Sequence, residues 1–208
     1  MVENQLRPNK IKQENILKLF RDIEKENFIN DENKTACYAD QDLLISTRRG
    51  YLKNLHLAQI ISYANISNID KVLHVGGLTG YLSTIISKMC SEIIVIENEK
   101  DNILKINQNI QDNSVNNIKI IHKKLSDGYK EESPYDLIII DCPIYVLNKD
   151  FLDQLKENGG RVVYIEKTSQ FISKGYKITK NLKSYSKKYL FDVFSNFSID
   201  NLKEEFKF

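Results

Sequence analysis

The stretch Lys71-Val72-Leu73-His74-Val75-Gly76-Gly77-Leu78-Thr79-Gly80-Tyr81-Leu82-Ser83-Thr84-Ile85-Ile86-Ser87 decides the fold. Its first five residues form a short apolar run of strand length. A turn rich in glycine follows, with Gly76, Gly77 and Gly80. Leu82, Ile85, Ile86 and Met89 then fall on one face of a helix over residues 81–89. Strand, glycine turn and helix in that order open a parallel α/β sheet. Such a turn lets backbone N–H groups approach a ligand closely, and the start of the helix adds positive potential.

The same rhythm continues downstream. Residues 92–96 (EIIVI) read as a strand, 100–111 as a helix and 118–121 as a strand. Residues 137–140 (LIII) are apolar on both faces, as a central parallel strand requires. A helix is expected over 149–157, ended by Gly159-Gly160 as its C-cap. Residues 161–165 (RVVYI) make a fifth strand. The alternation predicts parallel pairing through right-handed crossovers. Residues 176–182 and 187–194 then read as two strands close together, a hairpin that ends the sheet with antiparallel pairing.

Upstream, residues 11–27 read as a helix, because Ile16, Leu19, Phe20 and Ile23 share one face. A polar, irregular stretch runs from residue 30 to 50. A second helix covers 52–64, with Leu57, Ile60, Ile61 and Ala64 facing inward. No repeat or linker divides the chain. It reads as one domain over 1–208, with an N-terminal helical and loop extension (1–68) and an α/β core (69–208).

A chain of 208 residues can bury a sizeable core without staples. Hydrophobic residues make up 41% and charged residues 28%, an ordinary globular balance. The net charge of +2 argues against nucleic acid or an acidic membrane as the main partner. Cys37, Cys90 and Cys142 are scattered and odd in number, so neither a disulfide framework nor a metal site is expected. Residues 1–13 lack the apolar core of a signal peptide, and no apolar run reaches membrane-spanning length. A cytoplasmic location follows. The sequence does not speak to the oligomeric state.

Ligands of such sheets lie beyond the carboxyl ends of the strands, and four segments end there. The first is Gly76-Gly77-Leu78-Thr79-Gly80, which reads either as a ligand cradle or as a tight turn. Glu97 closes the second strand, about twenty residues after Gly76, where an acid accepts from ribose hydroxyls. It also reads as a solvated strand-end acid. Asp127, in Leu125-Ser126-Asp127-Gly128, follows the third strand and reads either as an acceptor for an adenine amino group or as an Asp-Gly turn. Asp141, in Asp141-Cys142-Pro143-Ile144, follows the fourth strand. Spacing alone does not separate a nicotinamide enzyme from a methyltransferase. The turn is G-G-L-T-G rather than G-x-G-x-x-G, which favours the methyltransferase type.

With these segments in order, the chain resembles the protein-L-isoaspartate O-methyltransferase family of class I enzymes that use S-adenosylmethionine (SAM). VLHVGGLTGYLSTIIS (72–87) resembles the family's first motif, V-L-E-I-G-x-G-x-G-Y. IVIEN (94–98), PYDLIIID (134–141) and LDQLKENGGRVV (152–163) resemble the strands that follow. YADQDLLI (38–45) resembles Y-x-D-x-x-L-P-I. The opening VENQLRPNKI and the closing FDVFSNF…EEFKF look like an alphaproteobacterial branch. The resemblance implies a seven-stranded, mostly parallel, doubly wound sheet whose last strand is antiparallel. It implies SAM as cofactor, held by Gly76, Gly77, Leu78, Thr79, Gly80, Glu97, Asp127 and Asp141. It also implies methylation of the carboxylate of isoaspartyl residues in damaged proteins or peptides.

The chain departs from that pattern at identifiable places. The family's T-I-S-Q-P segment aligns with Gly50-Tyr51-Leu52-Lys53-Asn54, so Leu52 stands in place of the serine. Ser46 and Thr47 are the nearest hydroxyls that could substitute. Leu78 replaces the middle glycine and His74 the usual acid. His74, His56 and His122 read as packed residues without catalytic roles. A carboxylate is already ionised at pH 7, so a methyl acceptor of this kind needs positioning more than a base. Loss of one positioning hydroxyl is expected to slow such a reaction roughly a hundredfold. The alternative is a catalytically degenerate binding or scaffold protein on the same fold. A nitrogen methyltransferase reading rests on Asp141-Cys142-Pro143-Ile144, which lacks the first proline and the aromatic of D-P-P-Y.

Overall fold

The computed structural model describes residues 1–46, 48–182 and 184–199. Its core is a seven-stranded sheet. In chain order the elements are α1 (Glu14–Asp22), β1 (Leu43–Leu44), β2 (Gly50–Tyr51), α2 (Asn54–Ala64), β3 (Lys71–Val75), α3 (Tyr81–Ser87), β4 (Glu92–Glu97), α4 (Lys100–Asp112), β5 (Ile118–His122), β6 (Leu137–Ile144), α5 (Lys149–Asp153), β7 (Asn158–Lys167), β8 (Ile172–Asn181) and β9 (Ser184–Phe194). The sheet order is β5-β4-β3-β6-β7-β8-β9. The first five of these strands run parallel. β8 pairs antiparallel with both β7 and β9. The strand that opposes the rest is therefore β8, and β9 closes the edge.

The period-2 rule sorts the strand residues onto two faces. Val72, Ile93, Val95, Leu137, Ile139, Val163 and Ile165 pack with α1, α2 and α3 on one side. Leu73, Ile94, Ile96, Ile138, Ile140, Val162 and Tyr164 pack with Tyr135, Phe151 and Leu155 on the other. Both faces are covered, which is why these strands read as continuous apolar runs. The order reverses at β3, so the tips of β3, β4 and β6 flank the switch point where ligands bind in such sheets.

Several boundaries differ from the sequence reading. The first helix ends at Asp22, and Lys25–Phe28 forms a separate 3-10 turn. The helix expected over 149–157 stops at Asp153, with Gln154 at its end. Gly159 and Gly160 do not cap it; both lie in β7. Tyr135 and Leu155 form a parallel bridge there, which draws the chain into the sheet before a further helical turn can form. Asp141, Cys142, Pro143 and Ile144 belong to β6 itself rather than to a loop after it, with the register broken between Ile140 and Ile144. The polar stretch 30–50 holds half of a small ribbon, in which Leu43 pairs with Tyr51 and Leu44 with Gly50.

Candidate functional site

The turn after β3 is built to bend. Gly76 and Gly80 have φ of 84° and 94°, the left-handed region that glycine enters without strain. Gly77 is required for space, since a Cβ there would collide with Val95. Leu78 also adopts positive φ, at 51°, and its side chain is buried. The turn therefore keeps a glycine-like backbone where the sequence carries leucine. Its buried side chain joins the core on the α2 and α3 face.

Glu97 ends β4 and is fully buried. Its carboxylate meets the guanidinium of Arg49 in a two-pronged pair, with Nη1 and Nη2 each donating at 2.8 Å. It also accepts from the backbone amides of Leu78 (3.0 Å), Asn98 (2.8 Å) and Glu99 (3.0 Å). Burial alone would raise this carboxyl. Arg49's hydrogen bonds and charge, with the amides of Glu99 and Leu78, outweigh burial and hold it below the usual carboxylate range. For Arg49, burial works against the charge, and Glu97 more than restores it.

Arg49 comes from the ribbon β1–β2, forty-eight residues away in sequence. Its guanidinium lies over the glycine turn: a Cβ placed on Gly76 would be 2.9 Å from Arg49 Nη2. Nη1 also donates to Asn98 Oδ1 at 3.0 Å. Ser46, one of the two hydroxyls near enough in sequence to replace the missing serine, donates from Oγ to Glu99 Oε1 at 3.1 Å. It thus belongs to the same ribbon-to-β4 contact. Thr47, the other hydroxyl, lies outside the described residues.

Tyr51 occupies the next part of the turn. Its buried hydroxyl accepts from the amides of Thr79 (3.2 Å) and Tyr81 (3.0 Å), which leaves its own proton for Thr79 Oγ1 at 2.9 Å. Burial pushes this phenol up to about 12, so it stays neutral and keeps that proton. Leu52, beside it, is buried in the core.

Behind Tyr51 sits Lys25, with 1% of its surface exposed. Its Nζ donates to Asn54 Oδ1 at 3.0 Å and faces the rings of Tyr51 and Tyr81 at 5.2 and 5.7 Å. Asn54 in turn donates to the carbonyl of Cys37. Burial lowers the Lys25 ammonium from 10.5 to about 8. Between those values the unfolded chain holds a proton that the fold does not, so stability rises with pH across that window. The size is about 3 kcal/mol. Urea unfolding between about pH 8 and about pH 10 should show this rise in the wild-type protein and a flatter profile in Lys25→Met. Equal slopes in the two proteins would remove Lys25 as the cause.

Asp141 is buried on β6, two residues beyond Ile139, the register partner of His74 on β3. His74 Nε2 and Asp141 Oδ1 are 3.5 Å apart, and neither atom has a hydrogen-bond partner among the described residues. His74 Nδ1 is 2.8 Å from Ser83 Oγ. His74 is thus a packed residue that links strand to helix, with no route to solvent. Asp127 is exposed in a 3-10 turn and accepts from Ser126 at 2.6 Å. That turn abuts the glycines through Leu125, whose Cδ1 would be 3.6 Å from a Cβ on Gly76.

The structure therefore gathers Gly76–Gly80 and Glu97 tightly, sets Asp141 beside them through His74, and leaves Asp127 at the rim. In this conformation the residues do not fit an adenosyl group. Glu97, expected from the sequence to accept from ribose hydroxyls, is paired with Arg49, and the amides of Leu78, Thr79 and Tyr81 are taken by Glu97 and Tyr51. Arg49, Tyr51 and Lys25 are the participants that sequence reasoning missed. No local sequence signal marks them, because their partners are distant in the chain.

Comparison with known proteins identifies the family and the fold. The model of the family "Protein-L-isoaspartate(D-aspartate) O-methyltransferase" matches residues 1–193. The protein-L-isoaspartate O-methyltransferase of Koribacter versatilis (strain Ellin345) is 27% identical over 163 residues, covering 78% of this chain and 73% of that one. The enzyme of the same name from Methanoculleus marisnigri is 26% identical over 163 residues, covering 78% and 74%. A solved protein-L-isoaspartate O-methyltransferase superposes with a TM-score of 0.78 at 20% identity, covering 95% of this chain and 67% of that one. The fold is thus that of the Rossmann-like methyltransferases, and the chain belongs to the SAM-dependent protein-L-isoaspartate(D-aspartate) O-methyltransferase family.

Proposed function

We propose that this chain methylates a carboxylate of isoaspartyl residues in proteins or peptides, with SAM as the methyl donor. The observation that carries the reading is the assembly of the glycine turn, Glu97 and Asp141 at the carboxyl-terminal side of the central strands β3, β4 and β6, in a chain matched by the family model over residues 1–193. An acceptor carboxylate is ionised at pH 7 and needs no base. The protein's task is to orient it and exclude water, and orientation alone supplies a large share of such rates. That task is compatible with Leu52, which removes a hydroxyl without adding charge.

The test uses purified protein, labelled SAM and two peptides of one sequence, with aspartate or isoaspartate at a single position. Base-labile label is expected on the isoaspartyl peptide and not on its partner. No ester above blank on either peptide would refute the assignment. A second reading, a binding module on the same fold, draws on the Arg49–Glu97 pair, which neutralises the ribose acceptor from within. It expects neither the wild-type protein nor an Arg49 variant to bind adenosyl ligands.

A further inference from the structure

We infer that Arg49 is an internal latch on the adenosyl site, holding Glu97 closed in the free chain and leaving only when the β1–β2 ribbon moves. This concerns the regulation of the site in the methyltransferase reading and rests on that reading.

A carboxylate offers about four acceptor positions. Glu97 already receives two bonds from Arg49 and one each from the amides of Leu78, Asn98 and Glu99. The amide bonds come from the turn and from Glu97's own neighbours, so they stay with the backbone. A ribose diol can gain this acid only by replacing the guanidinium.

The guanidinium lies against Gly76, the residue whose missing side chain would let a ligand approach. The Arg49 side chain is 6% exposed and that of Glu97 0%, so the pair is a buried closure rather than a surface contact.

Arg49 immediately precedes β2, in a ribbon of two short strands. Two-stranded ribbons are marginal by themselves. Ser46 and Arg49 bind Glu99 and Asn98, so side chains rather than a long ladder hold the ribbon to β4. Tyr51 is different: it is fully buried against Thr79 and Tyr81 and anchors the base of the ribbon. A hinge between Arg49 and Tyr51 would free the guanidinium without disturbing the turn.

A latch of this kind lowers apparent affinity by the fraction of molecules that are open. The test is calorimetry with S-adenosylhomocysteine on the wild-type protein, Arg49→Ala and Arg49→Lys. Arg49→Lys keeps the charge beside Glu97 but loses the two-pronged bond, so it remains measurable if Arg49→Ala fails to fold. Binding tighter than wild type by about tenfold or more in either variant upholds the latch. Equal or weaker binding in the variants beside a wild-type protein that binds overturns it and leaves the methyltransferase reading standing. No binding by any of the three overturns both. Ligand-induced rise in melting temperature gives a second readout that is independent of turnover.

Discussion

Arg49→Ala is expected to lose about 3–5 kcal/mol of stability at pH 7, the cost of leaving a buried charge without its partner. Glu97 has no exposed surface, and its carboxylate would keep only the amides of Leu78, Asn98 and Glu99. Those three bonds place the loss toward the lower end. The pH dependence carries the sign. In the wild-type protein the folded carboxyl lies below its ordinary value, so its contribution is present above the unfolded value, about 4.3, and fades as pH falls through the folded one. Without Arg49, burial becomes dominant and the carboxyl rises, so the variant folds better when Glu97 is protonated. The gap between the two proteins should therefore be widest near neutrality and narrow toward about pH 4. Urea unfolding at both ends of that range measures it. A gap below about 1 kcal/mol at neutral pH, the range of a surface pair, would show that the pair does not hold the site.

The second large effect is expected at Gly50. A Cβ there would collide with the carbonyl of Leu43 and stand 2.7 Å from Phe197 Cζ. The carbonyl is backbone and cannot step aside, so the ribbon must separate. Overpacking alone costs about 1–3 kcal/mol. Separation also pulls Arg49 off Glu97, which adds part of the loss just described. Gly50→Ala and Arg49→Ala should then combine to less than their sum, because each removes the same buried pair. Additive losses in urea unfolding would mean that ribbon and pair are independent.

The α/β core is legible in the sequence because its residues satisfy local and global demands together. β3, β4, β6 and β7 are apolar on both faces, and the glycine turn must bend where it does. The place of Glu97 at the end of β4 is legible by its spacing from Gly76, and its pairing with Arg49 is not. The helix before β7 reads too long because Leu152 and Leu155 keep helical spacing, while the bridge from Tyr135 to Leu155 depends on a partner twenty residues away. Asp141 looks like a loop residue because Pro143 follows it, yet an irregular strand accommodates that proline. Arg49 and Tyr51 cannot be read at all. Their partners lie twenty-eight to forty-eight residues away, and nothing local marks a basic residue in a polar stretch as the counterion of a buried acid.

The family assignment and the closed geometry meet at a single carboxylate. The measurement that tests their union most directly is a crystal structure of the protein grown with saturating S-adenosylhomocysteine. The ribose hydroxyls are expected within hydrogen-bond distance of Glu97, with Arg49 displaced and Tyr51 still on the amides of Thr79 and Tyr81. An intact Arg49–Glu97 pair, with the nucleoside bound elsewhere or absent, would contradict the account.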